Sequence, residues 1–390
     1  MAAVIVGYAR TPFARFTGAF AGEPATALGA HAIRATLARA GVAPDQVERV
    51  IAGQVLQGAA GQNPARQSAV AAGIPLTVPA MTLNAVCLSG MEAIAAAAAG
   101  IAAGEFAVAV AVGQESMSLA PHAWSGSRAG QKYGAIELVD TLELDGLTDA
   151  FEKRSMGAST EEGNAALGLT REDQDAWSAA SHARAAAAGS FIAGEIEPYP
   201  IESKRGTTVV DGDDGVRSET TAEVLAGLRP AFSRDGTITA GNSSQVTDGA
   251  AALVIMSEDA ARDRGLRPLA RIEGHALVAG PDVRLHSQPA RAILAALART
   301  GASAADLAAV EINEAFASVA LQSVAELGVS GDIVNSNGGA IALGHPIGAS
   351  GARIVGHLAR RLAELGPGSL GAAGICGGGG QGSAILLRAL

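Results

Sequence analysis

The chain has 390 residues, 48% of them hydrophobic and 17% charged, enough to bury a large core and to fill two or three domains. Its net charge of −10 arises within residues 119–249, where 21 acidic side chains face 11 basic ones. With no basic stripe and no aromatic platform, nucleic-acid binding is excluded. The longest apolar run, 93–104, lies between Glu92 and Glu105 and is too short to span a bilayer, so no membrane segment is expected. The N-terminus reads at once as a strand, without the basic start and cleavage site of a leader, which makes the cytoplasm the expected location. Two cysteines, Cys87 and Cys376, make no disulfide framework, and either alone is by default a small buried hydrophobe.

In chain order, the first third alternates apolar strands with alanine-rich helices. Strands are predicted at 4–8 and 47–57 and helices at 24–40 and 63–72, a βαβα rhythm. The segment Asn84-Ala85-Val86-Cys87-Leu88-Ser89-Gly90 then leads into a helix over 91–103, whose start carries Ser89 and Glu92 in capping-box spacing. Cys87 stands just before that N-terminus, where the helix dipole is expected to favour the thiolate. A strand follows at 106–112.

From 119 to about 249 the pattern breaks into a charged, turn-rich excursion with one helix predicted at 170–188. Excursions of this length in compact folds are usually functional. The remainder repeats the opening plan, with strands at 271–277 and 307–312 and a helix at 289–299. A glycine turn carrying His345 leads into a helix at 349–362, as the Cys87 turn leads into its own. Two similar α/β halves point to an internal duplication.

Two stretches look like a site. Asn335-Ser336-Asn337-Gly338-Gly339 runs on to Gly344-His345-Pro346, and about thirty residues later Cys376 opens Gly377-Gly378-Gly379-Gly380. Glycine runs allow close backbone approach and leave N–H groups free to meet a developing oxyanion. If the halves meet face to face, Cys87, His345 and Cys376 converge. A cysteine beside a histidine is an activated nucleophile, and a second cysteine with a depressed pKa can serve as acid and base.

Four blocks, Asn84 to Gly90, Asn313-Glu314-Ala315-Phe316-Ala317, Gly344-His345-Pro346-Ile347-Gly348 and Cys376 to Gly380, resemble those of the thiolases in order and spacing. The resemblance covers the whole chain. It implies an α/β fold of two βαβαβαββ halves stacked in five layers (α-β-α-β-α). Residues 1–118 with 249–268 would form the first half, 119–248 an inserted loop domain, and 269–390 the second half. It further implies acyl transfer between coenzyme A and a 3-ketoacyl-CoA by a ping-pong route, with no cofactor beyond coenzyme A and acyl-CoA as substrates. Cys87 matches the nucleophile that takes up the acyl group, His345 its activator, and Cys376 the acid/base at the α-carbon. Asn313 matches the residue that positions a water in one oxyanion hole, and the N–H groups of Cys87 and Gly378 match the other. Leu147, Met156, Arg217, Ala231, Phe232 and Ser244 fall where family members bind coenzyme A. Family likeness also implies a homodimer or homotetramer.

The segment Asp145-Gly146-Leu147-Thr148-Asp149-Ala150-Phe151 is similar to short-chain members that make or cleave acetoacetyl-CoA. Those carry a His-Met pair just after, where this chain has Ser155-Met156, and Gly241-Asn242-Ser243-Ser244-Gln245 looks more like degradative members of broad range. The expected activity is therefore acetyl-CoA C-acetyltransferase, with a longer-chain 3-ketoacyl-CoA thiolase of fatty acid β-oxidation, or a non-catalytic acyl-CoA binder, as alternatives. A dinucleotide-binding reading of 377–382 fails because the run leads into a strand instead of a helix. Glu115 is expected to be a buried structural acid, Asn313 and Glu314 alone could be a helix-cap pair, and the remaining histidines show no metal-ligand spacing, so no metal is expected.

Overall fold

A computed structural model describes residues 1–390. The first half runs β1 (Ala3–Arg10), α1 (Ala25–Ala40), β2 (Arg49–Gly53), α2 (Pro64–Ala71), β3 (Ala80–Leu83), α3 (Ser89–Ala103) and β4 (Val108–Glu115). The excursion holds α4 (Met156–Leu167), α5 (Arg171–Ala187) and the hairpin β5 (Tyr199–Ser203) and β6 (Gly206–Val210), and the chain then re-enters the sheet as β7 (Thr247–Ser257). The second half runs β8 (Ala270–Ala279), α6 (Gln288–Thr300), β9 (Leu307–Ile312), α7 (Ala317–Leu327), α8 (Ser350–Leu365), β10 (Leu370–Gly377) and β11 (Gln381–Ala389).

The strands lie in the order β9-β10-β11-β8-β1-β7-β4-β2-β3. Each half has one topology: β3-β2-β4-β7-β1 in the first is matched by β9-β10-β11-β8 in the second, with a parallel bridge from Val310 to Val334 in the place of β3. The sheets of the two halves join at their edges, through Val4 opposite Arg271 and Ile5 opposite Ala270. Strand alternation then sets the layers. Along β7, Ala250, Ala252, Val254 and Met256 face the outer core under α1, while Ala251, Leu253 and Ile255 face the central core with α3 and α8. A third core joins α6 to β9, β10 and β11. The stack is thus helix, sheet, helix pair, sheet, helix.

The middle pair explains the most apolar stretch of the chain. Val86–Ala103 is 18 residues of mean hydropathy 1.7, long and apolar enough by composition to cross a membrane, yet its helix is packed between two sheets. Both middle helices open with Ser-Gly. A Cβ on Gly90 would sit 2.8 Å from the Ala352 nitrogen, and one on Gly351 would sit 2.4 Å from the Met91 nitrogen. Only glycine lets the two N-termini cross this closely.

Three expectations change. The strand expected at 47–57 ends at Gly53, because the N–H groups of Val55 and Leu56 turn to the Glu115 carboxylate instead of a strand. The capping box does not form: Ser89 is already helical, with its hydroxyl 2.9 Å from the Ala85 nitrogen and 2.6 Å from the Val86 carbonyl, while Glu92 is taken by Ser383 and His275. The excursion is more ordered than its composition suggests. Helix α5 is capped by Thr170 as its sequence implies, but α4, capped by Ser155, was hidden by its glycines. Buried polar contacts fasten the excursion to the core: Arg10 forms ion pairs with Glu195 and Asp213, and His357 Nδ1 lies 2.6 Å from Glu195 Oε1.

Candidate active site

Cys87 sits on the turn between β3 and α3. The preceding Val86 is held at φ 52°, a left-handed conformation that a β-branched residue rarely adopts. Asn84 Oδ1 accepts the Val86 N–H at 2.9 Å and Ser89 braces both ends of the turn, so local bonds offset the strain. The turn aims the Cys87 sulfur at its own N–H and at that of Gly378. Desolvation nevertheless dominates, and the thiol is pushed up to about 12 despite those two donors. The expected stabilisation of a resting thiolate by the helix terminus is not found. Activation must come with proton transfer.

His345 lines the same cavity as Cys87. Its N–H donates to the Gln245 carbonyl at 3.0 Å, and its ring is buried. Ser350 Oγ donates to the Pro346 carbonyl at 3.0 Å, which leaves that oxygen to accept the His345 Nδ1–H at 2.5 Å. Nε2 is buried without a partner and is therefore the free basic nitrogen. Burial, then the nearby Arg353 cation, hold the imidazole neutral down to about pH 3. Asn313 Nδ2 lies 3.5 Å from Nδ1, and its Oδ1 has no partner. Because Nδ1 is already a donor, the opposite amide rotamer is the compatible one. It puts Oδ1 beside Nδ1–H, in a side chain that is fully buried and lines no described cavity.

Cys376 lies buried at the end of β10, just before the glycine turn, packed with Ile238, Leu285, Phe316 and Val319. Desolvation and then the charge of Cys87 push its thiol upward, against the expected depression.

These groups share a cavity of ≈ 70 Å³ whose walls include Cys87, His345, Cys376 and Gly378, closed by Met156, Leu285, Phe316 and Ile347. A wider cavity of ≈ 400 Å³ shares His345, Leu147, Met156 and Ser244 with it and adds Ser155 and Phe232. Together they form an entry leading to the sulfurs. Leu147, Met156, Phe232 and Ser244 thus lie along one path. Arg217 and Ala231 line neither cavity: both are exposed, the Arg217 N–H donating to His182 Nδ1 at 3.1 Å and the Ala231 N–H to the Ile238 carbonyl at 2.8 Å. Asn313 and Glu314 are not a cap pair: Glu314 is buried and receives Trp177, Ser181, Asn335 and the Ile341 N–H. Ser350, Leu285 and Ile347 were not foreseen. Ser350 carried a faint signal, being the first residue of the helix that follows His345.

A duplicated five-layer α/β fold with two thiols and a neutral imidazole meeting at the junction of its halves defines a narrow class. The thiolase N-terminal domain matches residues 3–259 and the thiolase C-terminal domain residues 266–389. The probable acetyl-CoA acetyltransferase of Mycobacterium tuberculosis is 53% identical over 389 residues, covering 99% of each chain. The acetyl-CoA acetyltransferase of Chromobacterium violaceum is 47% identical over 392 residues, covering 100% of each. A crystal structure of the Bacillus anthracis acetyl-CoA acetyltransferase superposes with a TM-score of 0.95 at 38% identity, over 100% of this chain and 99% of that one. The chain belongs to the thiolase family.

Proposed function

We propose that the protein is an acetyl-CoA C-acetyltransferase, joining two acetyl-CoA molecules into acetoacetyl-CoA and coenzyme A, and the reverse, through an acyl-enzyme on Cys87. The observation that carries this reading is the small apolar cavity in which Cys87, the free Nε2 of His345 and Cys376 converge.

In the cleavage direction, His345 Nε2 takes the Cys87 proton as the sulfur attacks the 3-keto carbon of acetoacetyl-CoA. The C2–C3 bond then breaks. Its electron pair goes to C2, which takes the Cys376 proton and leaves as acetyl-CoA, while the acetyl group stays on Cys87. A thiol whose pKa is raised remains protonated at rest, as this step needs. Coenzyme A then attacks the acetyl-Cys87 carbonyl, its thiol proton passing to the Cys376 thiolate, and protonated His345 returns its proton to the departing Cys87 sulfur as acetyl-CoA is released. The N–H groups of Cys87 and Gly378, which face the Cys87 sulfur, are the donors available to the carbonyl oxygen that gains charge there. Protonated His345 serves the other carbonyl oxygen, with the Asn313 amide against its Nδ1.

Chain length follows from the walls. Met156, Leu285, Phe316 and Ile347 leave ≈ 70 Å³ at the sulfurs, which suits an acetyl group. Ser155 on the wider cavity favours the second reading, a thiolase of fatty acid metabolism acting on longer chains. Cleavage of acetoacetyl-CoA measured beside a 3-ketoacyl-CoA of about sixteen carbons separates them, since pocket contacts read chain length through kcat/KM. Faster cleavage of the long substrate sinks the acetyl assignment, and no cleavage of either leaves only an acyl-CoA binder. Two free thiols suit a reducing compartment such as the cytoplasm. The edge strand β3, with Met81 48% exposed beside the nucleophile turn, suits a homo-oligomer built by pairing with a second copy.

A further inference from the structure

Glu115 ends β4 fully buried and lines neither cavity, so it meets no substrate. Its carboxylate gathers three backbone N–H groups from two separate segments. Oε2 accepts from Val55 at 3.0 Å and Gly348 at 2.9 Å, and Oε1 accepts from Leu56 at 3.1 Å. Val55 and Leu56 belong to the loop after β2, whereas Gly348 belongs to the turn that carries His345. The contact surface between β4 and that turn is close along its length. A Cβ on Gly113 would meet the Gly348 carbonyl oxygen at 2.6 Å, and one on Gly348 would meet Glu115 Oε2 at 2.7 Å. Beside the clamped amides, Leu56, Val55, Ile347, Met117 and Leu142 form an apolar cluster against which Cys87 packs.

Three N–H donors on two oxygens call for a carboxylate. A carboxamide of the same shape turns its NH2 group toward at least one of them and leaves a buried N–H unpaired. Burial pushes the Glu115 acid up to about 7, and the three N–H donors act against that rise by favouring the ionised form. Nothing in the fold of β4 itself requires the carboxylate, because the strand's ladder bonds to β2 and β7 are complete without the side chain.

We propose that Glu115 is a positioning residue for proton transfer from Cys87 to His345: its buried carboxylate ties the His345 turn to the loop after β2 and so holds Nε2 in line with the Cys87 sulfur. The inference rests on the reading of Cys87 as nucleophile and His345 as its base.

The test is Glu115→Gln, checked for native circular dichroism and then followed in two reactions. These are alkylation of Cys87 by iodoacetamide at neutral pH, located by peptide mass, and cleavage of acetoacetyl-CoA. Misaligned transfer should slow alkylation and kcat together by ~10-fold, with KM for the acyl-CoA changed less than ~3-fold, because only the proton step is touched. In a His345→Ala background the same substitution should cost little more, since its effect passes through the imidazole. A loss that adds in full to that of His345→Ala, or a folded Glu115→Gln that alkylates at the parent rate, overturns the proposal. Should Glu115→Gln not fold, Gly348→Ala pushes on the same Oε2 from the other side and is read by the same two outcomes. Alkylation needs no acyl-CoA. A parent chain that alkylates at Cys87 but cleaves no acetoacetyl-CoA therefore sinks the functional reading while the clamp is still tested.

Discussion

The Nδ1–H of His345 and the hydroxyl of Ser350 stand 2.5 Å apart, and that contact decides which edge of the imidazole is basic. With Nδ1 committed as a donor, the lone pair is on Nε2, the nitrogen that no protein group occupies. Orientation and tautomer are fixed by a single hydroxyl five residues along the chain.

Ser350→Ala should therefore lower kcat by ~10- to 100-fold with KM nearly unchanged, because general-base transfer is worth ~10²–10⁴-fold and the ring itself is still present. Ser350→Thr, which keeps the acceptor, should recover most of the loss. Steady-state kinetics of acetoacetyl-CoA cleavage read both, and an alanine variant at the parent kcat removes the tautomer argument.

The two cysteines should separate by chemistry. Cys87→Ala should abolish covalent acetylation by acetyl-CoA, and a stable acetyl adduct found on another residue by mass spectrometry would end the nucleophile assignment. Cys376→Ser should still acetylate at Cys87 while condensation falls by ~100-fold or more, because only the proton exchange at the α-carbon is lost. An unimpaired condensation rate would refute that role.

The neutral state of His345 has a cost in stability at low pH. Its pKa is held down to about 3 by burial and by Arg353, against an ordinary 6.5. Below 6.5 the unfolded chain binds a proton that the folded chain refuses, so stability is lost as pH falls from 6.5 toward 3. Between pH 6.5 and 5 the loss from this residue is roughly 2 kcal/mol, at about 1.4 kcal/mol per pH unit. Replacing it by Asn removes that share, so the urea-unfolding free energy of His345→Asn should fall by about that much less than the parent's over the same range. His182 and His286, also held low, act equally in both proteins and cancel. Parallel pH curves for the two would contradict a neutral buried His345.

Much of this was legible in advance. The alternation of apolar segments foretold the paired halves, and the glycine runs flank His345 and Cys376, which the fold brings to one cavity. What was not legible depends on desolvation and on long-range contact. The helix-terminus argument for a Cys87 thiolate was sound locally, but apolar walls brought by Leu285, Phe316 and Ile347 from distant segments outweigh a terminal dipole. Glu92 had the spacing of a cap and was instead claimed by Ser383, 291 positions away. Charged, turn-rich composition hid α4, whose glycines serve contact more than flexibility: Gly157 lies against Phe232 and Gly163 against His286. Coenzyme A contacts at Arg217 and Ala231 came from resemblance alone, and neither side chain reaches the cavities.

The crossing of the middle helices is the last point open to direct measurement. Gly351 follows Ser350 in the first turn of α8, and a methyl group there would come within 2.4 Å of the Met91 nitrogen and 2.9 Å of its Cβ. Both neighbours belong to α3, whose own Gly90 is pressed against Ala352, so neither helix can yield without moving the other. Ala is the better helix former by up to ~1 kcal/mol, but overpacking a tight core costs typically ~1–3 kcal/mol and should win. Gly351→Ala should therefore unfold at lower urea. Gly189→Ala, whose added methyl meets nothing within 4 Å, should not. Because any shift of α8 also carries Ser350 away from His345, kcat should fall in the Gly351 variant even at urea-free stability sufficient to keep it folded. A Gly351→Ala protein with parental stability and parental kcat would mean that the two N-termini approach less closely than 2.4 Å implies.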